Sequence, residues 1–309
     1  MNEKENNFVS VVVYFQENET NETNFIEMIY NILKINFKKY ELICVSNYTN
    51  EIATERVKKF KQEHNELNIS FIHLDKNQGL EECMNAGIDL AIGDFIFEFD
   101  SCYIDYKADI IMDVYRKLLE GNDIVSAIPP ANETKFLSKI FYKIYNHFSD
   151  TRPLTTERFR VISRRAINRV SGYNKIVPYR KAVYAATGLE IEKLEYDVKE
   201  NSTGKLQGDI LKNKVASDTL ILFTDIAYKI SFTLSTIMAI FMLVVGVYTI
   251  IAYFSIHKPI EGWAPLMGLV SAGFLAIFMI LTIIIKYLDI LLRLIFKKQK
   301  YMVINIEKL

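Results

Sequence analysis

The chain has 309 residues, 37 Lys+Arg against 37 Asp+Glu, and is 50% hydrophobic. The balanced charge gives no electrostatic case for a nucleic acid partner. Its three cysteines, Cys44, Cys83 and Cys102, have no Cys-x-x-Cys spacing, which excludes a disulfide framework or zinc finger and fits a reducing compartment.

The polar start, Met1–Asn7, lacks the apolar core of a signal peptide, so the first domain is expected in the cytosol. Phe8–Phe15 (FVSVVVYF) is apolar and β-branched and predicts a buried strand. Phe25–Lys34 has helical spacing, Tyr40–Ser46 predicts a second strand, and Ala53–His64 a charged amphipathic helix. Ile69–Leu74 (strand), Leu80–Ile92 (helix), Phe95–Asp100 (strand), Ala108–Glu120 (helix) and Asp123–Ile128 (strand) continue the alternation. Such alternation implies a Rossmann-like α/β fold, a mostly parallel sheet with helices on both faces. Ligands of such sheets bind beyond the carboxyl ends of the strands. One rim is therefore expected from Tyr14–Asn18, Ser46–Asn50, Leu74–Gly79 and Asp100–Asp105. No Gly-x-Gly-x-x-Gly or Walker loop is present, which disfavours dinucleotide and P-loop chemistry. Lys135–Phe148 reads as an aromatic-rich helix, Arg158–Arg169 as a strongly basic stretch, and Glu190–Val198 as a strand.

Residues 201–229 predict juxtamembrane amphipathic helices, lying at the membrane interface or packed against the first domain. Ile230–Ile256 and Gly262–Ile285 contain no charged residue, and each exceeds the ~20 residues that a helix needs to cross a bilayer. The link, His257-Lys258-Pro259-Ile260-Glu261, predicts a tight transmembrane hairpin, with Tyr253, Phe254 and Trp263 at the interfaces. Lys229 before the pair and Lys286, Arg293, Lys297, Lys298 and Lys300 after it place both ends in the cytoplasm by the positive-inside bias. The expected organisation is a cytosolic domain over 1–200, the amphipathic helices, two membrane helices within 230–285, and a basic cytosolic tail over 286–309.

In this order the motifs resemble the family 2 glycosyltransferases, and more narrowly the branch that glycosylates polyprenyl phosphate, relatives of dolichol-phosphate mannose synthase. The resemblance rests on Val9–Val13, Asn77-Gln78-Gly79, Asn85-Ala86-Gly87, Gly93-Asp94, Asp100 closing a strand, Phe159–Arg165 (FRVISRR), Gly262-Trp263, and the Lys286-Tyr287-Leu288 run into a basic tail. It implies a GT-A fold and inverting transfer of a sugar from a UDP- or GDP-sugar to polyprenyl phosphate at the cytosolic face of the cell membrane, in cell-envelope polysaccharide synthesis. It also implies Mg²⁺ or Mn²⁺ on the donor diphosphate and a homo-oligomer, commonly a tetramer.

The acidic motifs depart from the family. The Asp-Asp-Gly-Ser motif is replaced by Ser46-Asn47-Tyr48-Thr49, and Asp-x-Asp becomes Asp100-Ser101-Cys102. A thiol is a poor ligand for a hard cation. By resemblance, metal binding falls to Asp100 with Asp105. Nucleotide binding falls to Tyr14, Glu17, Asn47, Asn77 and Asp100, and the catalytic roles to Asp100, Glu157 and Arg160. Arg158, Arg160, Arg164, Arg165 and Lys205 are the candidates for phosphate. The plainer readings are a turn or N-cap role for Asp100 and a solvated helix face for the arginines. The alternative function is a catalytically impaired relative, a pseudoenzyme that binds lipid phosphate or partners an active glycosyltransferase. A plugged pocket at Asp100, or an Asp100 carboxylate engaged in a private salt link, argues for that alternative.

Overall fold

A computed structural model describes residues 3–16, 21–47, 51–64, 66–75, 78–130, 136–173, 179–199, 213–226, 263–296 and 303–308, with isolated positions at 133, 202 and 301 and scattered ones between 229 and 247. The chain divides into two compact units. One comprises Met1–His147, Thr151–Ala216 and Gln299–Leu309, the other Phe148–Asp150 and Ser217–Lys298.

The first unit is built on an eight-stranded sheet. Its strands are β1 (Glu5–Phe15), β2 (Phe37–Asn47), β3 (Asn68–Leu74), β4 (Phe95–Phe99), β5 (Ile124–Ile128), β6 (Phe159–Ser163), β7 (Ile191–Glu195) and β8 (Val303–Lys308), in the order β7-β5-β6-β4-β1-β2-β3-β8. The pairs β1–β2, β1–β4, β2–β3 and β5–β7 are parallel, whereas β4–β6, β5–β6 and β3–β8 are antiparallel. The sheet is thus mixed and mostly parallel. The expected βα alternation holds through β5, with α1 (Glu22–Asn36), α2 (Glu51–Glu63), α3 (Leu80–Leu90) and α4 (Asp109–Leu119) as its helices. Then follow α5 (Phe136–Phe148), α6 (Arg164–Tyr173) and α7 (Arg180–Ala186).

Two strands were not expected. The basic stretch begins as β6, which enters antiparallel between β4 and β5. The C-terminal tail ends as β8, which covers the outer edge of β3 with Ile306 opposite Ile72.

Alternate residues of the central strands face opposite layers. Val9, Val11, Val13, Phe97, Phe99 and Val161 belong to the main apolar cluster together with Phe25, Phe37 and Tyr115 of the surrounding helices and strands. Edge-to-face rings, Phe25–Phe99 and Phe37–Tyr115, both at 5.0 Å, add directional packing. On the opposite face α3 lies close to β1 and β2. A Cβ at Gly87 would overlap Val12 Cγ1, and one at Gly93 would stand 2.6 Å from the Ser10 backbone nitrogen. The motif glycines therefore set backbone approach at positions away from the rim.

In the second unit, α9 (Trp263–Phe296) has 34 residues and at 1.5 Å per residue is about 51 Å long. Its Phe274, Phe278, Leu281 and Ile285 are exposed, and Lys286 pairs with Asp218 of α8 (Asn213–Phe223) at 2.8 Å. The first expected span, Ile230–Ile256, lies largely outside the described residues, as does the whole 257–261 link; the described positions from 229 to 247 are helical. Among the described residues no helix is long and apolar enough to cross a membrane.

Candidate active site

Four neighbouring strands carry Glu98, Arg160, Ser126 and Lys193 on one face, and register brings the four into a row. Glu98 of β4 stands opposite Arg160 of β6, Arg160 opposite Ser126 of β5, and Ser126 opposite Lys193 of β7. The row lies on the face away from the main apolar cluster, and α7 supplies Arg180, Lys181 and Tyr184 to its charged end.

A buried ionic network results. Arg180 gives Nη2 to Asp100 Oδ1 (2.6 Å), Nη1 to Glu98 Oε2 (3.0 Å), and both Nε and its backbone N–H to Glu81 Oε2 (2.9 Å each). Arg160 donates Nη2 to Asp100 Oδ2 (3.2 Å). Its Nη1 lies 3.3 Å from Glu98 Oε2 and its Nε 3.1 Å from Glu157 Oε2. Tyr184 donates its hydroxyl to Glu98 Oε1 at 2.8 Å, and Lys181 Nζ stands 4.0 Å from Glu157. Asp100 is 4% exposed, Arg160 1% and Arg180 2%, so solvent does not reach these pairs.

Burial opposes ionisation of Asp100, but the Arg180 and Arg160 guanidinium groups outweigh it and hold this carboxyl well below the usual range. Glu98 differs: burial pushes its pKa up, and the same two arginines only partly offset that. Burial also works against charge on Arg160 and Arg180, yet Glu157, Asp100 and Glu98 around the first, and Glu81, Asp100 and Glu98 around the second, keep both firmly protonated.

Asp105 is 1% exposed and equally committed. Arg158 Nε pairs with its Oδ2 and Tyr196 donates to its Oδ1, both at 2.7 Å, and Arg158 lies over the Tyr103 ring. Between the two acids Cys102 is fully buried and its carbonyl accepts from Asn21. A divalent ion needs several carboxylate, carbonyl or water oxygens free to close on it. Here all four carboxylate oxygens of Asp100 and Asp105 already accept from the chain's own donors. Among the described residues no group of three or more His, Cys, Asp or Glu is arranged to hold a metal. The residues present do not fit the expected Mg²⁺ or Mn²⁺.

The expected phosphate-binding arginines do not form one cluster. Arg158 and Arg160 lie at the rim end of β6, next to Asp105 and Asp100 respectively. Arg164 and Arg165 follow Ser163, which pairs with Phe95 at the far end of β4. There Arg164 donates to the Ala91 and Gly93 carbonyls and Arg165 grips Asp123. The reason is directional: β6 runs antiparallel to β4, so five residues carry the chain from the rim to the opposite ends of the strands. Glu157 joins Arg160 as expected for neighbours in the site. Tyr14 ends β1 at the rim, half-buried. Ser46, near the end of β2, is buried with no hydrogen bond to its Oγ. The side chain of Asn47, and Glu17, Asn77 and Lys205 altogether, lie outside the described residues.

Sequence reasoning missed Glu81, Glu98, Ser126, Arg180, Lys181, Tyr184 and Lys193. The available signal was the one polar residue inside each of FIFEF, IVSAI and FRVIS, which is costly to bury without a partner; IEKLE, with three polar residues, carries no such signal.

A mostly parallel sheet with an acidic residue closing its fourth strand defines a GT-A-like α/β domain. The chain belongs to glycosyl transferase family 2, whose sequence profile matches residues 10–177; its members are nucleotide-sugar-dependent glycosyltransferases. The chain is 23% identical over 266 residues to an uncharacterized glycosyltransferase, sll0501, of Synechocystis sp., covering 84% of this chain and 83% of that one. Among solved structures it resembles glucosyl-3-phosphoglycerate synthase from Mycobacterium tuberculosis in complex with phosphoglyceric acid (TM-score 0.50, 11% identity, 70% of this chain and 78% of that one). It also resembles the Pyrobaculum calidifontis mannosyltransferase PcManGT in complex with GDP-Man and Mn²⁺ (TM-score 0.47, 15% identity), matching 62% of this chain and spanning 57% of that one.

Proposed function

We propose that this chain is a membrane-held glycosyltransferase that moves a sugar from a UDP- or GDP-sugar to polyprenyl phosphate with inversion, using guanidinium groups in place of a divalent ion. The observation that carries the reading is the family 2 match over residues 10–177, on a sheet whose fourth strand is closed by Asp100 with Arg160 and Arg180 beside it. In this reading the two guanidinium groups supply the positive charge that the reaction needs. In the transfer the acceptor phosphate oxygen attacks the anomeric carbon, and the bond from that carbon to the diphosphate oxygen breaks, leaving a nucleoside diphosphate. The phosphate is largely ionised at neutral pH, its second pKa being ~6, so no base has to remove a proton. The growing charge on the leaving group is the demand, and arginine meets phosphate oxygens bidentately. Because both guanidinium groups are buried, a bound donor must exchange phosphate oxygens for carboxylate oxygens around them.

Membrane attachment through 230–285 is part of the reading. It is supported by the uncharged runs in the sequence and by the exposed apolar side chains of α9. The tail strand β8 pairs with β3 of the sheet domain, so chain leaving after residue 216 returns to the same body by residue 303. An excursion through a bilayer with both ends on one side needs an even number of crossings, as a hairpin has. The positive-inside bias puts that side in the cytoplasm. The tetramer that the resemblance implies belongs to this reading as well.

A second reading, a catalytically impaired member that binds lipid phosphate or partners an active enzyme, is favoured by the salt links that occupy both Asp100 oxygens, the arrangement named above as arguing for it, and by Ser46 and Cys102 at the acidic motifs. The test is incubation of the full chain in detergent with polyprenyl phosphate and a panel of UDP- and GDP-sugars, with EDTA or with Mg²⁺ or Mn²⁺. Glycolipid formed in EDTA supports metal-free transfer. Absence of product with every donor, with and without metal, leaves the second reading.

A further inference from the structure

Next to the ionic network, on the side of β5 and β7, lies a cavity of about 240 Å³. Ser126, Arg160 and Lys193 of the polar row form part of its wall, with Lys181 of α7, Arg152 and Glu157. Four cationic side chains thus converge on it against one carboxylate. Leu154, Ala185 and Ile191 complete an apolar side.

The cations are held in place from outside. Arg152 is fixed by Glu190 Oε2 (3.0 Å) and the Ile191 carbonyl (3.2 Å), and Lys193 Nζ by the Pro153 carbonyl (2.7 Å). Arg160 is fully buried, yet its Nε and Nη1 make no hydrogen bond, although Glu157 and Glu98 stand at ion-pair distance. Buried guanidinium donors without an acceptor are costly. Burial also lowers the pKa of Lys193, with Glu157 raising it and Lys181 lowering it, as expected where like charges face one another.

We propose that this cavity is a binding site for a phosphomonoester, with Arg152, Arg160, Lys181 and Lys193 as its cationic wall and Ser126 as a further donor. A phosphomonoester carries about −1.5 to −2 charge at neutral pH and three acceptor oxygens, which suits a wall of cationic side chains and offers aligned acceptors to the Arg160 donors that make no hydrogen bond. The volume exceeds the ~30 Å³ share of a water several-fold, so it holds the phosphate and a few attached carbons against the apolar side. Arg160 belongs both to this wall and to the Asp100 network, so occupancy draws on the same guanidinium group that grips Asp100. The site extends the proposed transferase reading without resting on turnover.

The full chain in detergent is titrated calorimetrically with methyl phosphate, glycerol 3-phosphate, acetate and polyprenyl phosphate, without any nucleotide sugar. The titration therefore reads the cavity whether or not the chain uses a donor. Saturable binding of the soluble phosphomonoesters, weakened at least about tenfold in Lys193→Gln and in Arg152→Gln, is expected. Saturation by polyprenyl phosphate alone, with the same weakening, makes the phosphomonoester a lipid head group. Binding unchanged in both variants, no binding by any phosphate, or equal binding of acetate overturns the proposal. Arg152 lies at the surface end of the cavity and its substitution spares the buried network, so the test survives a misfolded Lys193 variant.

Discussion

Glu98 and Arg160 stand opposite one another on β4 and β6, and Arg160 Nη1 lies 3.3 Å from Glu98 Oε2 with both side chains at most 2% exposed. A charge pair in the middle of a sheet face is stable only while both members remain. It also sits among further partners: Arg180 and Tyr184 share Glu98, and Asp100 and Glu157 share Arg160.

Removing both members should therefore cost less than the two single removals added together. Arg160→Met is expected to destabilise the sheet domain by about 3–5 kcal/mol, because it strands buried carboxylates. Arg160→Met with Glu98→Met should cost less than the sum of the two single changes by at least about 1 kcal/mol. Denaturant unfolding of the four proteins checks this; additivity argues that the pair is energetically incidental.

Acid should act on Asp100 and Glu98 with opposite signs. The folded pKa of Asp100 is depressed by Arg180 and Arg160 against the effect of burial, so its stabilisation is full above the unfolded value of about 3.9 and is lost as pH falls towards the folded one. Asp100→Asn should then cost most at neutral pH and progressively less below about pH 4. Glu98 has a folded pKa raised by burial, so its ionised form costs stability once pH rises above the unfolded value of about 4.3, increasingly up to the folded one. Glu98→Gln should remove that part of the pH dependence. Urea midpoints followed from pH 7 to pH 3 distinguish the two signs.

Divalent ions should bind weakly or not at all at the end of β4. Titration with Mn²⁺ followed by electron paramagnetic resonance is expected to show no stoichiometric site, and EDTA should leave the melting temperature unchanged. A bound Mn²⁺ signal that Asp100→Asn abolishes contradicts the assignment of the Asp100 oxygens to arginine.

The buried thiols should be silent in the native protein. Burial pushes Cys83 up to about 12, and Cys44 and Cys102 are wholly enclosed. Native protein should react with an alkylating reagent only as fast as it opens, whereas denatured protein reacts at all three thiols. Rapid native labelling of Cys102 points to an open loop after Asp100.

The regular part of this architecture was legible because burial imposes composition. β1 reads as a strand because both its faces are covered, and the helices between β1 and β5 show their apolar faces. The placement of Asp100 at a strand end followed from FIFEFD alone. The role of Asp100 did not, because its partners arrive from distant segments: Arg180 is 80 residues away and Arg160 is 60. The basic stretch looked like a solvated face because arginine is rarely buried, yet alternation along β6 turns Arg160 inward. The tail strand was hidden for another reason. VINIEK is six residues long and follows a long apolar region, so nothing local marks it as part of a sheet whose other strands end by residue 195.

That tail sets the timetable of synthesis. β3 is made early, yet the strand that shields its outer edge, Val303–Lys308, is encoded far downstream of it. At roughly 5–20 residues per second the ribosome needs on the order of 10–45 seconds to travel from one to the other. Throughout that interval the backbone donors and acceptors of Asn68–Leu74 present an unpaired rail, open to another nascent chain or to a chaperone. Stopping translation before residue 303 makes that exposure permanent, so the codons for Val303–Lys308 bear on the solubility of a unit whose other segments are made by residue 216.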